Sequence, residues 1–259
     1  VLPFNDGKQA AALIEERADS LAAVFMEPVA FSDGGAIPAH PDFARTMREV
    51  TQKHGILLVF DEVVTSYRMG LEGAPAYLGV TPDLSALGKA IGGGFPLAAL
   101  GGKAEVLDAV LGEDSCHNGK RIFQSGTFTG NAVSIAAGLA ALSVLESEPV
   151  LDTINALGER FRNGLRCLFD ASGVGGKVTG VGSIFQLHFT EAEPRNRREI
   201  AAGDMEMLRL FLLGMVSEGV LWPPIHPGVT AYTHTTGDID RSLDAAERLL
   251  PLFAAVELP

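Results

Sequence analysis

The sequence predicts an α/β fold, a mostly parallel sheet flanked by helices, followed by a smaller α+β unit. Three observations carry this expectation. Short apolar runs alternate with helix-periodic stretches from the N-terminus to about Gly102. A long helical stretch from about Ala132 to Phe169, rich in small residues at first, is interrupted near Pro149. Beyond it the pattern changes to strand-like pairs between helices. The expected division is therefore residues 1–148, part of a large sheet domain, and residues 149–259, a small α+β domain.

Residues 6–17 read as helix, and "LAAVFMEPV" as a buried strand that stops at Glu27-Pro28, because proline cannot donate to the ladder. Pro41 at a helix start, Phe43, Met47 and Val50 on one face, and Gly55 past the end mark the next helix. It leads into the strand "ILLVF". "LSALG" and "LAALGG", separated by "KAIGGGFP", read as further strands of the same mostly parallel sheet. In the second unit, "GKVTGVGSIFQLHF" reads as a strand pair, "GDMEMLRLFLLGMVSEG" as a helix and "VTAYTH" as a strand. Thr235 and Asp238 form a capping box before a last helix with Ile239, Leu243, Ala246, Leu250 and Phe253 on one face.

Composition narrows the function. With 259 residues, 47% of them hydrophobic, the chain has enough apolar surface for one large or two smaller cores. A formal charge of −12 gives no long-range attraction for nucleic acid or an anionic membrane. No apolar run reaches the roughly 18 residues of a membrane span. Cys116 and Cys167 are too few for a disulfide framework, which fits a reducing, cytoplasmic setting. His40, His54, His117, His188 and His234 show no ligand spacing, and no metal site is expected.

The candidate chemistry lies at strand ends. In open α/β sheets ligands sit outside the carboxyl ends of the strands, and Asp61 and Glu62 follow "ILLVF" directly. Alternation places Asp61 and Val63 on one side and Glu62 on the other. Taken alone, such an acid is more often a helix cap or a solvated loop acid. Lys89 comes 28 residues later at the end of the next strand, where a lone lysine on a glycine-rich turn is more often a solvated charge. A phosphate-binding loop fails because Ala90 stands where Ser or Thr should, and Asp83 where the first glycine should. Gly92, Gly93 and Gly94 complete no dinucleotide fingerprint, which leaves a nicotinamide dehydrogenase without its motif. Strand-end acid, apolar neighbour and strand-end lysine together suit pyridoxal phosphate: the amine forms a Schiff base and the carboxylate keeps the pyridine nitrogen protonated.

"FDEVVTSYRMG", "TPDLSALGKAIGGGFPLAALGG", "QSGTFTGNAVSIAAGLAAL" and "AYTHTTGDIDRSLDAAERLL" resemble the class III aminotransferases, and most the branch containing glutamate-1-semialdehyde aminomutase. The resemblance implies a fold-type I, pyridoxal-phosphate-dependent transaminase or aminomutase acting on a small amino donor and a carbonyl acceptor. It also implies a homodimer with a shared site. Lys89 matches the Schiff-base lysine, Asp61 the pyridine-nitrogen partner and Val63 the ring-packing residue. Gly126 and Thr127 match a loop that contacts cofactor phosphate from the neighbouring subunit. Glu27 matches a supporting acid, Ser32 lies in a loop facing the substrate, and Tyr67-Arg68 match an aromatic–Arg pair of open role. His226 falls near an acidic position of the aminomutases, as a second candidate substrate contact. The N-terminal portion of the family, with its phosphate-binding turn, does not precede "VLPFND". The alternative expectation is therefore a catalytically incomplete fragment or dimerisation remnant without bound cofactor.

Overall fold

A computed structural model of the chain describes residues 1–111, 126–224 and 226–254. Helix α1 (Gly7–Glu16) starts where the Asp6 carboxylate accepts from Gln9 N, and it buries Ala10 and Ile14. Strand β1 (Ala23–Met26) follows, then the short hairpin β2 (Val29–Ala30) and β3 (Ile37–Pro38). Helix α2 (Pro41–Lys53) buries Phe43, Met47 and Val50, and Gly55 takes a φ of +66° to turn the chain into β4 (Leu57–Glu62). Then come α3 (Gly73–Leu78), β5 (Leu84–Leu87), β6 (Ala99–Gly102) and α4 (Ala104–Leu111).

The sheet order is β1-β4-β5-β6, with β1, β4 and β5 parallel. β6 differs from the rest by running antiparallel to β5. Only the loop of residues 88–98 joins them, with a single 3-10 turn in it, and that connection holds no crossover helix. Along β1 and β4, Val24, Met26, Leu58 and Phe60 face α1 and α2 in one apolar core. Phe25 points the other way and is 71% exposed, so β1 is buried on one face only, not on both as the run "LAAVFMEPV" implies. At the amino end of the sheet, buried Asp83 binds Arg48 at 2.9 Å, Lys103 at 2.8 Å and Leu58 N at 2.7 Å, tying β4 to β5.

Helices α5 (Ala132–Ser147) and α6 (Val150–Ser172) meet at 74° around Pro149. Among the described residues, no single helix is long and apolar enough to cross a membrane. A second core gathers α6, β7 (Lys177–Thr179), β8 (Ile184–His188), α8 (Met205–Ser217) and α9 (Thr236–Ala254), centred on Phe161, Leu165, Phe211 and Leu250. The short helix α7 (Arg197–Ala201) precedes α8. The capping box forms, with Thr235 N donating to Asp238 Oδ2 and Asp238 N to Thr235 Oγ1.

The strand expected at "VTAYTH" is instead β9 (Gly228–Val229), paired with β8. Past Thr230 the chain turns, because Ala231 N donates to the His234 imidazole and His234 N to Ala231 O. The β2–β3 hairpin lies between the two cores: Val29, Phe31 and Ala36 pack with Ile184, while Ala30 and Ile37 pack with Ile200.

Candidate active site

Strand β4 divides its carboxylates between two tasks. Glu62 is 3% exposed and accepts from Ala74 N at 2.8 Å and from Ser85 Oγ at 2.9 Å. It ties β4 to β5 and to the start of α3, where Gly73 has a φ of +65° and leaves no room for a Cβ beside the carboxylate. Asp61 points to the opposite face. Its Oδ1 accepts from Val63 N at 3.1 Å, and its Oδ2 has no partner among the described residues.

On that face Asp61, Val63, Lys89 and Ser32 line one small cavity, together with Glu27, Val29, Val64 and Thr65. The cavity measures about 100 Å³. That is less than the several hundred Å³ of a typical whole-ligand cleft and matches one end of a ligand. Its loop wall is held by Glu27, whose Oε2 accepts from Phe31 N at 2.7 Å and Ser32 N at 3.0 Å. Lys89 follows β5 with a φ of +49°, a conformation that non-glycine residues seldom adopt. Gly88 before it lies against Val63: an added Cβ would meet Val63 Cγ1 at 3.1 Å.

Of the seven candidate cofactor and substrate residues, four share this cavity, Asp61, Val63 and Lys89 with Ser32 from the family resemblance, and three named through that resemblance do not. Gly126 and Thr127 lie in an exposed turn before α5 and do not line it. His226 meets the ring of Phe31 edge-on at 5.1 Å and borders a different cavity of about 650 Å³ in the second core. That larger space has an aromatic floor of Phe161, Phe185 and Trp222, and its arginines are paired, Arg248 with Glu218 and Arg241 with Asp238. The strand-end acid Asp61 and amine Lys89 are in the smaller cavity.

Thr65 escapes the motif reading. It is 1% exposed, lines the small cavity, and its buried Oγ1 has no partner among the described residues. Strand alternation could not have found it, because β4 ends at Glu62 and the chain turns over residues 63–68. Arg68, whose role the sequence leaves open, is directed at the second core, and its Nη1 approaches Ser183 Oγ at 3.3 Å and the Thr230 carbonyl at 3.5 Å.

Comparison with known proteins places these residues in context. The aminotransferase class-III family model matches residues 5–245. A glutamate-1-semialdehyde 2,1-aminomutase of Methanococcoides burtonii is 35% identical over 244 residues, 93% of this chain and 56% of that protein. The crystal structure of a β-phenylalanine aminotransferase from Variovorax paradoxus superposes with a TM-score of 0.90 at 34% identity, covering 99% of this chain and 58% of that one. A glutamate-1-semialdehyde aminomutase from Pseudomonas aeruginosa in complex with PMP gives a TM-score of 0.80 at 26% identity, over 98% of this chain and 56% of that one. The chain thus spans somewhat more than half the length of the relatives it matches.

Proposed function

The chain belongs to the class-III aminotransferase family, and from that premise we propose that it serves pyridoxal-phosphate-dependent amino-group transfer between a small amino donor and a carbonyl acceptor. One observation carries the proposal: an acid and an amine from successive strand ends, with an aliphatic side chain beside them, line the same cavity. These residues fit the cofactor by their chemistry, since Asp61 keeps one carboxylate oxygen without a partner among the described residues and Val63 offers an apolar surface.

When bound, pyridoxal phosphate supplies a carbonyl carbon that takes up the amine and a ring that draws electrons from the breaking C–H bond. Asp61 would hold the proton on the ring nitrogen, and Val63 would offer its apolar surface to the ring. Lys89 Nζ would anchor the cofactor covalently and, as a free amine, would move a proton between the substrate carbon and the cofactor's C4′ position. Glu27 fixes the loop bearing Ser32, which orients the substrate. These roles serve both intermolecular transamination and the aminomutase form, in which the amine moves between adjacent carbons of one molecule. Kinship to the Methanococcoides burtonii protein supports the second form. The acidic charge and absence of a single spanning helix among the described residues are consistent with work in the cytoplasm.

The test is a titration of the 259-residue chain with pyridoxal phosphate, followed by borohydride reduction and peptide mass mapping. The expected result is a visible absorption band and a reduced adduct on Lys89. A folded chain that takes no label favours the second reading, a remnant without cofactor, which the small cavity volume supports.

The proposal includes a homodimer with a shared site. Helix α5 has no charged residue before Glu146 and buries only Ser134 and Gly138, while Val133, Ile135, Leu139 and Val144 stand exposed. Such a face is stable in water when a partner covers it. Gly126 and Thr127 lie at the amino end of the same helix, where they reach a neighbouring copy's cofactor. Light scattering should give twice the chain mass, and Leu139→Glu should halve it. An unchanged mass for that variant counts against this face.

A further inference from the structure

Tyr67 and Arg68 belong to a tight turn over residues 63–69 that begins with the cavity residues Val63, Val64 and Thr65. Tyr67 has a φ of +56°, costly for a bulky residue and maintained only where its surroundings hold it. What holds it is the second core. Arg68 Nη1 binds Ser183 Oγ and the Thr230 carbonyl, residues 115 and 162 positions away in sequence. Val64 and Met69, on either side, pack against the cluster of Val29, Phe31, Ala36 and Ile184. Burial lowers the pKa of the Arg68 guanidinium, and no carboxylate lies within ion-pair distance of it among the described residues. The half-buried cation makes only these two polar contacts among the described residues. The turn also neighbours the lysine: Val63 lies beside Gly88, the residue before Lys89, so closely that a Cβ added at Gly88 would meet Val63 Cγ1 at 3.1 Å.

Resting on the function proposed above, we propose that Arg68 is a positioning residue. It anchors the turn to Ser183 and Thr230, so that the placement of the C-terminal core sets the positions of Val63 and, through Gly88, of Lys89.

The experiment measures pyridoxal phosphate affinity and the pH midpoint of the bound cofactor's visible band. The variants are Arg68→Ala, Ser183→Ala, their double mutant, and Arg160→Ala as a surface control, since among the described residues Arg160 pairs only with half-exposed Asp240. Arg68→Ala should weaken binding about tenfold, as expected for losing a hydrogen-bonded charged group, and shift the midpoint. Added guanidinium should restore both. Ser183→Ala should act in the same direction with a smaller effect, and the double mutant should be no worse than Arg68→Ala alone. If Arg68→Ala does not fold, Ser183→Ala still decides through the midpoint. Loss of thermal stability with unchanged affinity and midpoint would make Arg68 merely structural and overturn the inference. A wild-type chain that binds no cofactor removes the underlying function, and the inference with it.

Discussion

Asp61→Asn is expected to reduce amino transfer by about 10- to 1,000-fold, because a neighbouring carboxylate raises the pKa of a cationic partner by about 1–3 units and each unit is worth about 1.4 kcal/mol. Asparagine keeps the shape of the side chain and its oxygen still accepts from Val63 N, so only the charge is lost. Folding stability should stay within about 0.5 kcal/mol of wild type, since Asp61 is half-buried and makes no ion pair among the described residues. Turnover with α-, β- and ω-amino donors, together with urea unfolding, measures both halves. Full activity in the variant would remove Asp61 from the site. Glu62→Gln, one residue along, supplies the contrast. Its carboxylate joins Ala74 N and Ser85 Oγ away from the cavity, so damage there appears as lost stability.

That contrast was legible in the sequence, because the twofold period of a strand separates neighbouring side chains whatever the tertiary structure. The convergence of Asp61 and Lys89 was legible for a related reason: parallel strands present their carboxyl ends on one edge, and β4 and β5 pair in parallel with Asp61 opposite Ala86. Strand direction was not. "LAALGG" has the same apolar composition in either sense, and only the lack of a crossover helix between residues 88 and 98 reveals the antiparallel β6. "VTAYTH" misleads because threonine, valine and tyrosine favour strands, while the His234 side chain captures Ala231 N and bends the chain. The missing partner of Thr65 Oγ1 and the reach of Arg68 to Ser183 depend on contacts that no local pattern encodes.

The junction between the two cores has the same long-range character, and one buried histidine makes it sensitive to acid. His188, at the end of β8, is 4% exposed, and its Nε2 lies 3.2 Å from the Gly35 carbonyl and 2.9 Å from Thr179 Oγ1. Thr179 Oγ1 itself donates to Gly35 O at 2.6 Å, and Gln186 Nε2 to Gly34 O at 3.2 Å. Three side chains of the β7–β8 hairpin thus hold the loop that follows Ser32. Burial lowers the His188 pKa from 6.5 to about 4, with a smaller opposing effect from the Gly35 carbonyl. Between those two values the unfolded chain binds a proton that the folded chain refuses, so stability falls as the pH drops through that window. The shift corresponds to roughly 3 kcal/mol, a large share of a typical domain's stability.

Two other groups bracket this effect. Burial raises the Asp33 carboxyl, outweighing its hydrogen bond from Gly35 N, and that shift acts in the opposite sense just above the ordinary aspartate range. Burial also pushes Asp83 upward, but hydrogen bonds from Lys103, Leu58 N and Arg48 lower it overall, so its loss comes at still lower pH. Urea unfolding at pH 7 should therefore exceed that at pH 4 by roughly 3 kcal/mol in wild type. In His188→Gln, which keeps a donor toward Gly35 and loses the titration, most of this difference should vanish. Equal pH slopes in the two proteins would show that the imidazole titrates alike in the folded and unfolded chains, and the acid sensitivity would then belong to the carboxylates.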